Sequence, residues 1–203
     1  MNDPTQFGVV ILAAGASQRM GQPKMLMDWF GHTILAELVA SWTKLGTQQI
    51  AVVNSHQAIR EELLRMNNAK VNSIINPQPE QGMFSSIKAA ANWSGWHLTI
   101  THFVISLGDQ PHLQTKTLAD LLFFAARNPL SIAQPVMRGK ARHPVVLPKA
   151  IFRSLAQTNS ATLKEFLNEH EKMRLKLPSI DPGLELDIDT PEDYQRIKKR
   201  TLL

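Results

Sequence analysis

Short apolar runs alternate with segments of helical periodicity along most of this chain, and that alternation restricts the folds open to it. The runs lie at Phe7–Leu12, Ile50–Val53, Val71–Ile75 and Phe103–Leu107. They have the length and the β-branched composition of strands that are buried on both faces. Because helical segments fill most of the gaps, the pattern predicts an α/β fold in which helices cover both faces of a mostly parallel central sheet.

Periodicity and end signals predict four helices. The clearest has apolar side chains at three- and four-residue steps and ends at Gly46, a residue typical of a helix C-cap. The predicted helices cover residues 33–46, residues 115–129, a segment that runs from after Gly82 to Trp93, and a last segment capped by Thr190 with Pro191 in its first turn.

The rhythm of the chain changes near residue 131, where short β-like pieces replace the regular alternation. No Gly/Ser linker, low-complexity segment or internal repeat marks a boundary there. A chain of 203 residues is long enough for one sizeable core. We therefore expect a single domain over residues 1–203, in which residues 131–203 add a wall to a site built by residues 1–130.

Composition argues against several classes of protein. No apolar run reaches the roughly 20 residues of a membrane helix, and residues 1–6 lack the basic and apolar regions of a signal peptide. The chain has no cysteine, so a disulfide framework or a catalytic thiolate is excluded. The net charge of +5 is scattered apart from a basic tail, so we expect no nucleic-acid-binding surface. These features predict a soluble, cytoplasmic protein.

The loop after the first predicted strand is a candidate site, because ligands bind at the carboxyl ends of strands in open α/β sheets. Its small residues leave backbone N–H groups open to phosphate oxygens; they are Ala13, Ala14, Gly15, Ala16 and Ser17. Arg19 and Lys24 follow and supply positive charge for a triphosphate. The alternative is a small-residue turn with two solvated cations. The glycine spacing matches neither a P-loop nor a dinucleotide-binding fingerprint.

Acidic residues mark two further segments. Gly108 and Asp109 follow the predicted strand Phe103–Leu107, which would bring a carboxylate to the same sheet edge as the first loop. Mg²⁺ needs only one or two carboxylates beside triphosphate oxygens and water. Asp187 and Asp189 precede the last predicted helix. The alternatives are a β-turn at Asp109 and a helix-capping role for Asp189.

Two remaining segments carry polar side chains beside chain-bending residues. Gly82 precedes a predicted helix that carries Ser85 and Ser86, whose hydroxyls have plain capping as their alternative role. Residues 138–148 hold several cations before an apolar run, and they include Arg142 and His143. The alternative there is a basic hairpin with a solvated histidine, and the spacing of the histidines matches no zinc site.

The sequence LAAGASQRMGQPKML, residues 12–26, resembles the signature L-A-A-G-x-S-x-R-M-G-x-x-K of the MobA/MocA-like NTP transferase family. The nucleotidyltransferases of this family have a three-layer Rossmann-like fold. Within the family, the resemblance is closest to the group of molybdenum cofactor cytidylyltransferases and guanylyltransferases. GDQP at residues 108–111 and DIDTPEDY at residues 187–194 resemble two further family motifs, so the resemblance covers nearly the whole chain.

The resemblance implies a role for each candidate residue. It implies nucleotide binding by Leu12, Ala13, Ala14, Gly15, Arg19, Lys24, Gly82, Ser85, Ser86 and Asp109. It implies that Arg19, Lys24 and Asp109 are the catalytic residues, and that Arg19 and Lys24 hold the phosphates and the leaving pyrophosphate. It implies Mg²⁺ binding by Asp109 and Asp187, and contact with the acceptor by Arg142 and His143.

The activity that the resemblance implies is Mg²⁺-dependent transfer of a nucleotide from an NTP to a phosphorylated acceptor, with release of pyrophosphate. Molybdopterin is the favoured acceptor, with a molybdoenzyme as a further partner. Guanylyltransferases of the group usually carry L-A-G-G where this chain has LAAG at residues 12–15. The bulkier Ala14 favours a pyrimidine base, and therefore CTP.

Three alternatives to this activity stay open. One is transfer from GTP. Another is a sugar phosphate or an alcohol phosphate as acceptor, since residues 158–167 read TNSATLKEFL where cytidylyltransferases commonly carry G-D-x-G-A-R. The third is a non-catalytic nucleotide-binding protein that delivers a cofactor. Against the third stands the joint presence of Arg19, Lys24, Asp109 and Asp187, since binding alone does not need the whole set.

Overall fold

The computed structural model describes residues 5–15 and 18–202. Its strands are β1 (Phe7–Leu12), β2 (Asp28–Trp29), β3 (His32–Thr33), β4 (Gln49–Asn54), β5 (Val71–Ile75), β6 (His102–Leu107), β7 (Ile132–Met137), β8 (Lys140–Ala141), β9 (Val145–Pro148) and β10 (Arg174–Pro178). Its helices are α1 (Ile34–Lys44), α2 (Gln57–Met66), α3 (Met83–Asn92), α4 (Thr115–Arg127), α5 (Lys149–Ser154), α6 (Leu163–Glu169) and α7 (Pro191–Thr201). Within the described ranges, no helix is long and apolar enough to cross a bilayer.

The main sheet has the strand order β10-β7-β9-β6-β1-β4-β5, with β8 paired to β7. The pairs β1–β4, β1–β6, β4–β5 and β7–β10 are parallel. β9 lies antiparallel between β6 and β7. The predicted mostly parallel sheet is therefore confirmed, and the chain segment beyond residue 131 extends it with an internal antiparallel strand.

Each face of the sheet packs against its own apolar cluster. Val9 and Ile11 of β1 belong to the cluster with α1, α2, α4 and α7, whereas Val10 belongs to the cluster with α3, α5 and α6. Successive side chains of a strand point to opposite faces, so a strand that is covered on both sides must be apolar at every position. This explains the continuous apolar runs and confirms the prediction of helices on both faces.

Side-chain caps begin the two helices whose start the sequence marks most clearly. Thr33 precedes α1 and accepts a hydrogen bond from the backbone nitrogen of Ala36 at 3.1 Å. Thr190 precedes α7 and forms a reciprocal capping box with Asp193, followed by Pro191 at the first helical position. The predicted start of the last helix is thus confirmed, and its cap holds the preceding acidic segment in place.

His102, at the start of β6, is a buried base whose pKa is lowered by burial. The residue is 3% exposed, and Nε2 lies 3.0 Å from the carbonyl oxygen of Pro129, a hydrogen bond that partly opposes the shift. An unfolded histidine has a pKa of about 6.5. The folded protein binds a proton at His102 less readily than the unfolded chain does. The neutral histidine therefore contributes fully to the free energy of unfolding above about pH 6.5, and this contribution is lost as the pH falls below that value.

We expect His102→Gln to make the protein less sensitive to acid. The loss of this histidine should reduce the fall in the free energy of unfolding by up to about 1.4 kcal/mol per pH unit below about pH 6.5. Urea unfolding at about pH 7.5 and about pH 5.5 measures the effect. His97→Gln, at an exposed position, is the control. The same acid sensitivity in His102→Gln as in the wild type would show that this proton is not responsible.

Candidate active site

Three loops meet at the carboxyl edge of the sheet and enclose a cavity of about 220 Å³, called the site cavity below. One loop follows β1, one follows β6, and the third leads from β5 into α3. Leu12 lies opposite Leu107 in the parallel β1–β6 pair, so these two loops leave the sheet side by side. The lining residues are Leu12, Ala13, Ala14, Gly15, Lys24, Met25, Pro79, Gly82, Met83, Ser86, Leu107, Gly108 and Asp109.

The loop after β1 forms one wall of the site cavity and is tied to β4. The backbone nitrogen of Ala13 donates to the carbonyl oxygen of Val53 at 2.8 Å. The hydroxyl of Ser55 donates to the carbonyl oxygen of Ala14 at 3.2 Å. Residues 12–15, which the sequence assigned to the nucleotide, all line the cavity. The side chains of Ala13 and Ala14 are small and Gly15 has none, which leaves backbone atoms near the cavity.

Gly108 allows the loops after β1 and β6 to lie against each other. Its backbone nitrogen donates to the carbonyl oxygen of Leu12 at 3.1 Å. A Cβ atom at this position would lie 2.5 Å from that same oxygen and 2.8 Å from Sδ of Met25. Any other residue would therefore push the two loops apart at the place where the site cavity forms.

We expect Gly108→Ala to destabilise the protein by about 1–3 kcal/mol, the usual cost of forcing a group into a packed region. The same change should open the site, because the backbone of Leu12 must move. Urea unfolding of the variant measures the cost. Gly15→Ala is the control, since a Cβ atom there meets nothing within 4 Å among the described residues. Equal stability of Gly108→Ala and the wild type would contradict the close approach.

Lys24 joins three separate segments of the chain at the site cavity. Its Nζ lies 3.1 Å from Oδ2 of Asp109, 2.8 Å from the carbonyl oxygen of Ile188 and 3.5 Å from Oδ1 of Asp189. Its side chain is 17% exposed, so these ion pairs are partly shielded from water. The lysine is therefore held in place beside the carboxylate that follows β6.

Arg19 pairs with the same acidic segment but from a more open position. Its guanidinium lies 3.1 Å from Oδ2 of Asp189, and its side chain is 68% exposed. Asp189 thus has one cation on each carboxylate oxygen. An exposed ion pair of this kind is weak, so the guanidinium can turn toward an incoming anion at little cost. Ala16 and Ser17, which the sequence also placed in the anion-binding loop, lie outside the described residues.

Asp109 and Asp187 approach each other from distant parts of the chain. The backbone nitrogen of Ile188 donates to the carbonyl oxygen of Asp109 at 3.2 Å, which joins the two segments. Asp187 accepts a hydrogen bond from Nε2 of Gln110 at 2.9 Å. Burial raises the pKa of Asp187, the negative charges of Asp109 and Asp189 raise it further, and the hydrogen bond from Gln110 opposes them. The carboxylates repel one another, which favours a cation between them.

The acidic cluster alone is an incomplete metal site. Among residues 5–15 and 18–202, no group of three or more acidic, histidine or cysteine side chains is arranged to hold a metal ion. Oδ1 of Asp109 is buried and accepts no hydrogen bond from any described residue. Such an oxygen is a ready ligand for a hard cation, and Mg²⁺ commonly completes its shell with phosphate oxygens and water.

The two serines at the start of α3 differ in position. Ser86 is buried and lines the site cavity. The hydroxyl of Ser85 lies 2.9 Å from the carbonyl oxygen of Gln78 and 2.8 Å from that of Gly82, so it stabilises the turn into the helix. Gly82 has φ +82°, a conformation that glycine adopts without strain. Of the pair, Ser86 is the one placed to contact a ligand.

The basic loop between β7 and β9 is paired with an acidic residue from the C-terminal segment. Arg142 donates to Oε1 of Glu185 at 2.9 Å, and Arg138 lies 3.3 Å from Oε2 of the same residue. His143 is half-buried, and burial lowers its pKa. Neither Arg142 nor His143 is among the described residues that line the site cavity. Both residues precede β9, the neighbour of β6, and His143 lies close enough to Ile105 and Asp109 for both to oppose the lowering of its pKa.

Several residues at the site were not singled out in the sequence. Met25 and Pro79 line the cavity. Each lies close in the sequence to a motif residue, and this closeness was the one sign of their role. Ile188 contributes a backbone oxygen, which no residue type reveals. Glu185 is the acid that pairs with the basic loop. Asn76 bonds to both serines of α3, and the break in the chain at Asn76-Pro77 was its only sign.

The fold and the loops of the site define an α/β protein of the Rossmann-like nucleotidyltransferase type. A solved nucleotidyl transferase from Methanothermobacter shares this fold with a TM-score of 0.76 at 18% identity, over 97% of this chain and 98% of the other. The model of the MobA-like NTP transferase domain matches residues 9–173. The chain belongs to that family.

Two curated relatives match nearly the whole length of the chain. Molybdenum cofactor cytidylyltransferase from Escherichia coli K12 is 27% identical over 192 residues, which cover 94% of this chain and 95% of the relative. Nicotine blue oxidoreductase from Paenarthrobacter nicotinovorans is 28% identical over 199 residues, which cover 93% of this chain and 94% of the relative. The two names denote different reactions, so the activity of this chain has to be argued from its own site.

Proposed function

We propose that this protein transfers CMP from CTP to a phosphorylated acceptor and releases pyrophosphate, with Mg²⁺ as the metal and molybdopterin as the favoured acceptor. One observation carries the proposal: Arg19, Lys24 and Asp109 come together with the acidic residues 187–189 beside the site cavity. Phosphoryl chemistry is catalysed chiefly by positioning and charge neutralisation, which such a set supplies. The similarity to the Escherichia coli cytidylyltransferase supports the base and the acceptor.

The residues of the site fit a divalent cation. Asp109 offers a buried oxygen that bonds to no described residue, and the pKa of Asp187 is raised among like charges that a cation would neutralise. In this proposal Asp109 and Asp187 are the protein ligands. Mg²⁺ bound there would neutralise charge on the triphosphate and make the α-phosphorus more electrophilic.

Lys24 and Arg19 hold the phosphates of the nucleotide in this proposal. Both cations pair with Asp189, and Lys24 also pairs with Asp109. When a triphosphate enters, phosphate oxygens replace these carboxylates as partners of the cations. Arg19 can bind through its planar fork, whereas the shielded Lys24 acts as a fixed point charge. Negative charge that builds up on the leaving pyrophosphate is thereby neutralised.

The transfer itself is a displacement at phosphorus. An oxygen of the acceptor phosphate forms a bond to the α-phosphorus, and the bond from that phosphorus to the bridging oxygen of the β-phosphate breaks. The electron pair leaves with pyrophosphate. The acceptor oxygen is already anionic, so the chain needs neither a nucleophile of its own nor a general base, and its task is to hold the two phosphates in line.

Residues 1–130 hold the nucleotide and residues 131–203 face the acceptor in this proposal, although Asp187 belongs to the second part. Arg142 and His143 are the proposed acceptor contacts. Arg142 is paired with Glu185, so an anionic acceptor would take the place of Glu185 at the guanidinium. A molybdoenzyme would receive the product.

Calorimetric titration with CTP, GTP, ATP and UTP, each with and without Mg²⁺, tests the nucleotide part of the proposal. We expect CTP to bind most tightly and Mg²⁺ to strengthen its binding. A preference for GTP would overturn the role of Ala14 in base choice while retaining the class of enzyme. Failure of all four nucleotides to bind in the presence of Mg²⁺ would contradict the proposed function.

A further inference from the structure

Ser85 and Ser86 are adjacent, yet only one of their two hydroxyl hydrogens bonds to a described residue. Ser85 donates its hydroxyl hydrogen to a backbone carbonyl. Its Oγ lies 2.9 Å from the carbonyl oxygen of Gln78 and 2.8 Å from the carbonyl oxygen of Gly82. Among the described residues, Oγ of Ser86 makes one hydrogen bond, which it accepts from Nδ2 of Asn76 at 2.9 Å. Its own hydrogen therefore has no acceptor among them.

Asn76 determines the direction of that hydrogen bond. Its side-chain oxygen accepts from the backbone nitrogen of Gln78 at 2.9 Å, so the amide nitrogen must face the serines. There it donates to Oγ of Ser85 at 2.8 Å and to Oγ of Ser86 at 2.9 Å. Asn76 is only 3% exposed, and its amide has no room to reverse without losing three bonds. Ser86 can therefore only accept from Asn76.

The site cavity is the side from which an acceptor for the Ser86 hydrogen can come. Ser86 lines the cavity and is 4% exposed, so water has little access to its hydroxyl. A buried hydroxyl hydrogen without an acceptor is costly. A ligand in the cavity that presents a hydrogen-bond acceptor at this point would remove the cost, whereas a ligand N–H group could bond only to the second lone pair of Oγ and would leave the hydrogen without an acceptor.

We propose that Asn76 is a positioning residue for nucleotide binding: because its amide donates to Ser86, it keeps the Ser86 hydroxyl a donor toward the nucleotide that the family resemblance places there. This inference rests on the proposed function. The ligand atom it requires is an acceptor, which a base carbonyl, a ring nitrogen or a ribose oxygen supplies. Cytosine meets the requirement through its C2 carbonyl and N3, while its exocyclic amine does not.

Asn76→Asp tests the direction of the bond, because a carboxylate has the shape of the amide but only accepts. Both serine hydroxyls would turn toward it, and Ser86 would present lone pairs to the ligand. We expect Mg²⁺-CTP affinity, measured by calorimetry, to fall about tenfold or more in Asn76→Asp and about tenfold in Ser86→Ala. Ser154→Ala is the matched control, with an expected change below about threefold, because the Ser154 hydroxyl bonds to the carbonyl oxygen of Ile151 within α5 and Ser154 does not line the site cavity.

Asn76→Asp has two effects: it reverses the direction of the hydrogen bond to Ser86, and it adds a negative charge that repels the triphosphate. A double-mutant cycle with Ser86→Ala separates the two effects. If Asn76 acts through Ser86, Asn76→Asp should weaken CTP binding at least about threefold less in the Ser86→Ala background than in the wild-type background. Independent effects that simply multiply would overturn the positioning role. Should Asn76→Asp fail to fold, equal affinities for CTP in Ser86→Ala and in the Ser154→Ala control would overturn the donor role of Ser86.

Repeating the titrations with 2′-deoxy-CTP identifies the acceptor atom. A tenfold effect of Ser86→Ala on both nucleotides supports an acceptor on the base, and an effect lost with 2′-deoxy-CTP supports the 2′ oxygen of the ribose. If the wild type and Ser86→Ala bind CTP equally well, this inference is overturned and the proposed function is not. Wild-type protein that binds no nucleotide would overturn both this inference and the proposed function.

Discussion

Replacing Asp109 with asparagine should lower the rate of pyrophosphate release by roughly a thousandfold and leave the fold intact. Asparagine has the same shape, and the backbone bond that Ile188 makes to residue 109 does not involve the side chain. The variant loses the buried carboxylate oxygen that bonds to no described residue and is the proposed metal ligand. A pyrophosphate-release assay at saturating CTP and acceptor measures the rate.

Nucleotide binding separates this explanation from a general loss of structure. In Asp109→Asn, CTP without Mg²⁺ should bind no more weakly than to the wild type, because a negative charge beside the phosphates has gone. In this variant, Mg²⁺ should no longer strengthen the binding of CTP. Asp120→Asn is the matched control, since Asp120 is an exposed residue of α4 that pairs with Lys116. Undiminished pyrophosphate release in Asp109→Asn would remove Asp109 from the metal site.

Replacing Lys24 with alanine should weaken CTP binding by roughly tenfold to a hundredfold, as expected for the loss of a charge-assisted hydrogen bond. The loss has two causes. The triphosphate loses a shielded cation, and it also meets Asp109 and Asp189 without the lysine that now lies between them. Because unpaired carboxylates repel phosphate, the effect should exceed that of removing an exposed lysine by far.

Calorimetry with CTP and Mg²⁺ measures the change, and Lys116→Ala on the exposed face of α4 controls for the lost charge. Arg19→Ala should have a smaller effect than Lys24→Ala, because the arginine is largely exposed and pairs with Asp189 alone among the described residues. Equal affinities in the wild type and Lys24→Ala would mean that the loop after β1 does not hold the phosphates.

The central part of the fold was predictable because its signals are local. The apolar runs that became β1, β4 and β6 are nearly continuous, since both faces of each strand are covered, and a glycine or a polar turn follows each of them. The small residues after β1 and the Gly108-Asp109 pair after β6 could be assigned to one sheet edge. Parallel neighbours bring their carboxyl ends together whatever the rest of the chain does.

Elements without a continuous pattern were missed. β10 is an edge strand with half-exposed and exposed positions, so it shows no apolar run. α6 was not predicted, because its seven residues are too few for a helical period to stand out. Thr162 accepts a hydrogen bond from the backbone nitrogen of Glu165, so the Thr-x-x-Glu spacing marked the start of this helix.

The partners within the site could not be predicted from the sequence. Asp189 is 170 residues from Arg19, and Glu185 is 43 residues from Arg142, and each pair forms only because the C-terminal segment returns to the sheet edge. The chemistry of the residue assigned Arg19 to the phosphates, and the family resemblance assigned Arg142 to the acceptor, but neither indicated the carboxylates that pair with them in the structure. The roles of both sets of residues stay predictions that the variants above test.

The most direct test of CMP transfer is mass spectrometry of the products after the purified protein is incubated with CTP, Mg²⁺ and molybdopterin. The expected result is one pyrophosphate for each molybdopterin that gains CMP, with the Asp109→Asn protein inactive. Unchanged molybdopterin in a sample whose protein demonstrably binds Mg²⁺-CTP would contradict molybdopterin as the acceptor, and the same failure across sugar and alcohol phosphates would contradict nucleotide transfer itself.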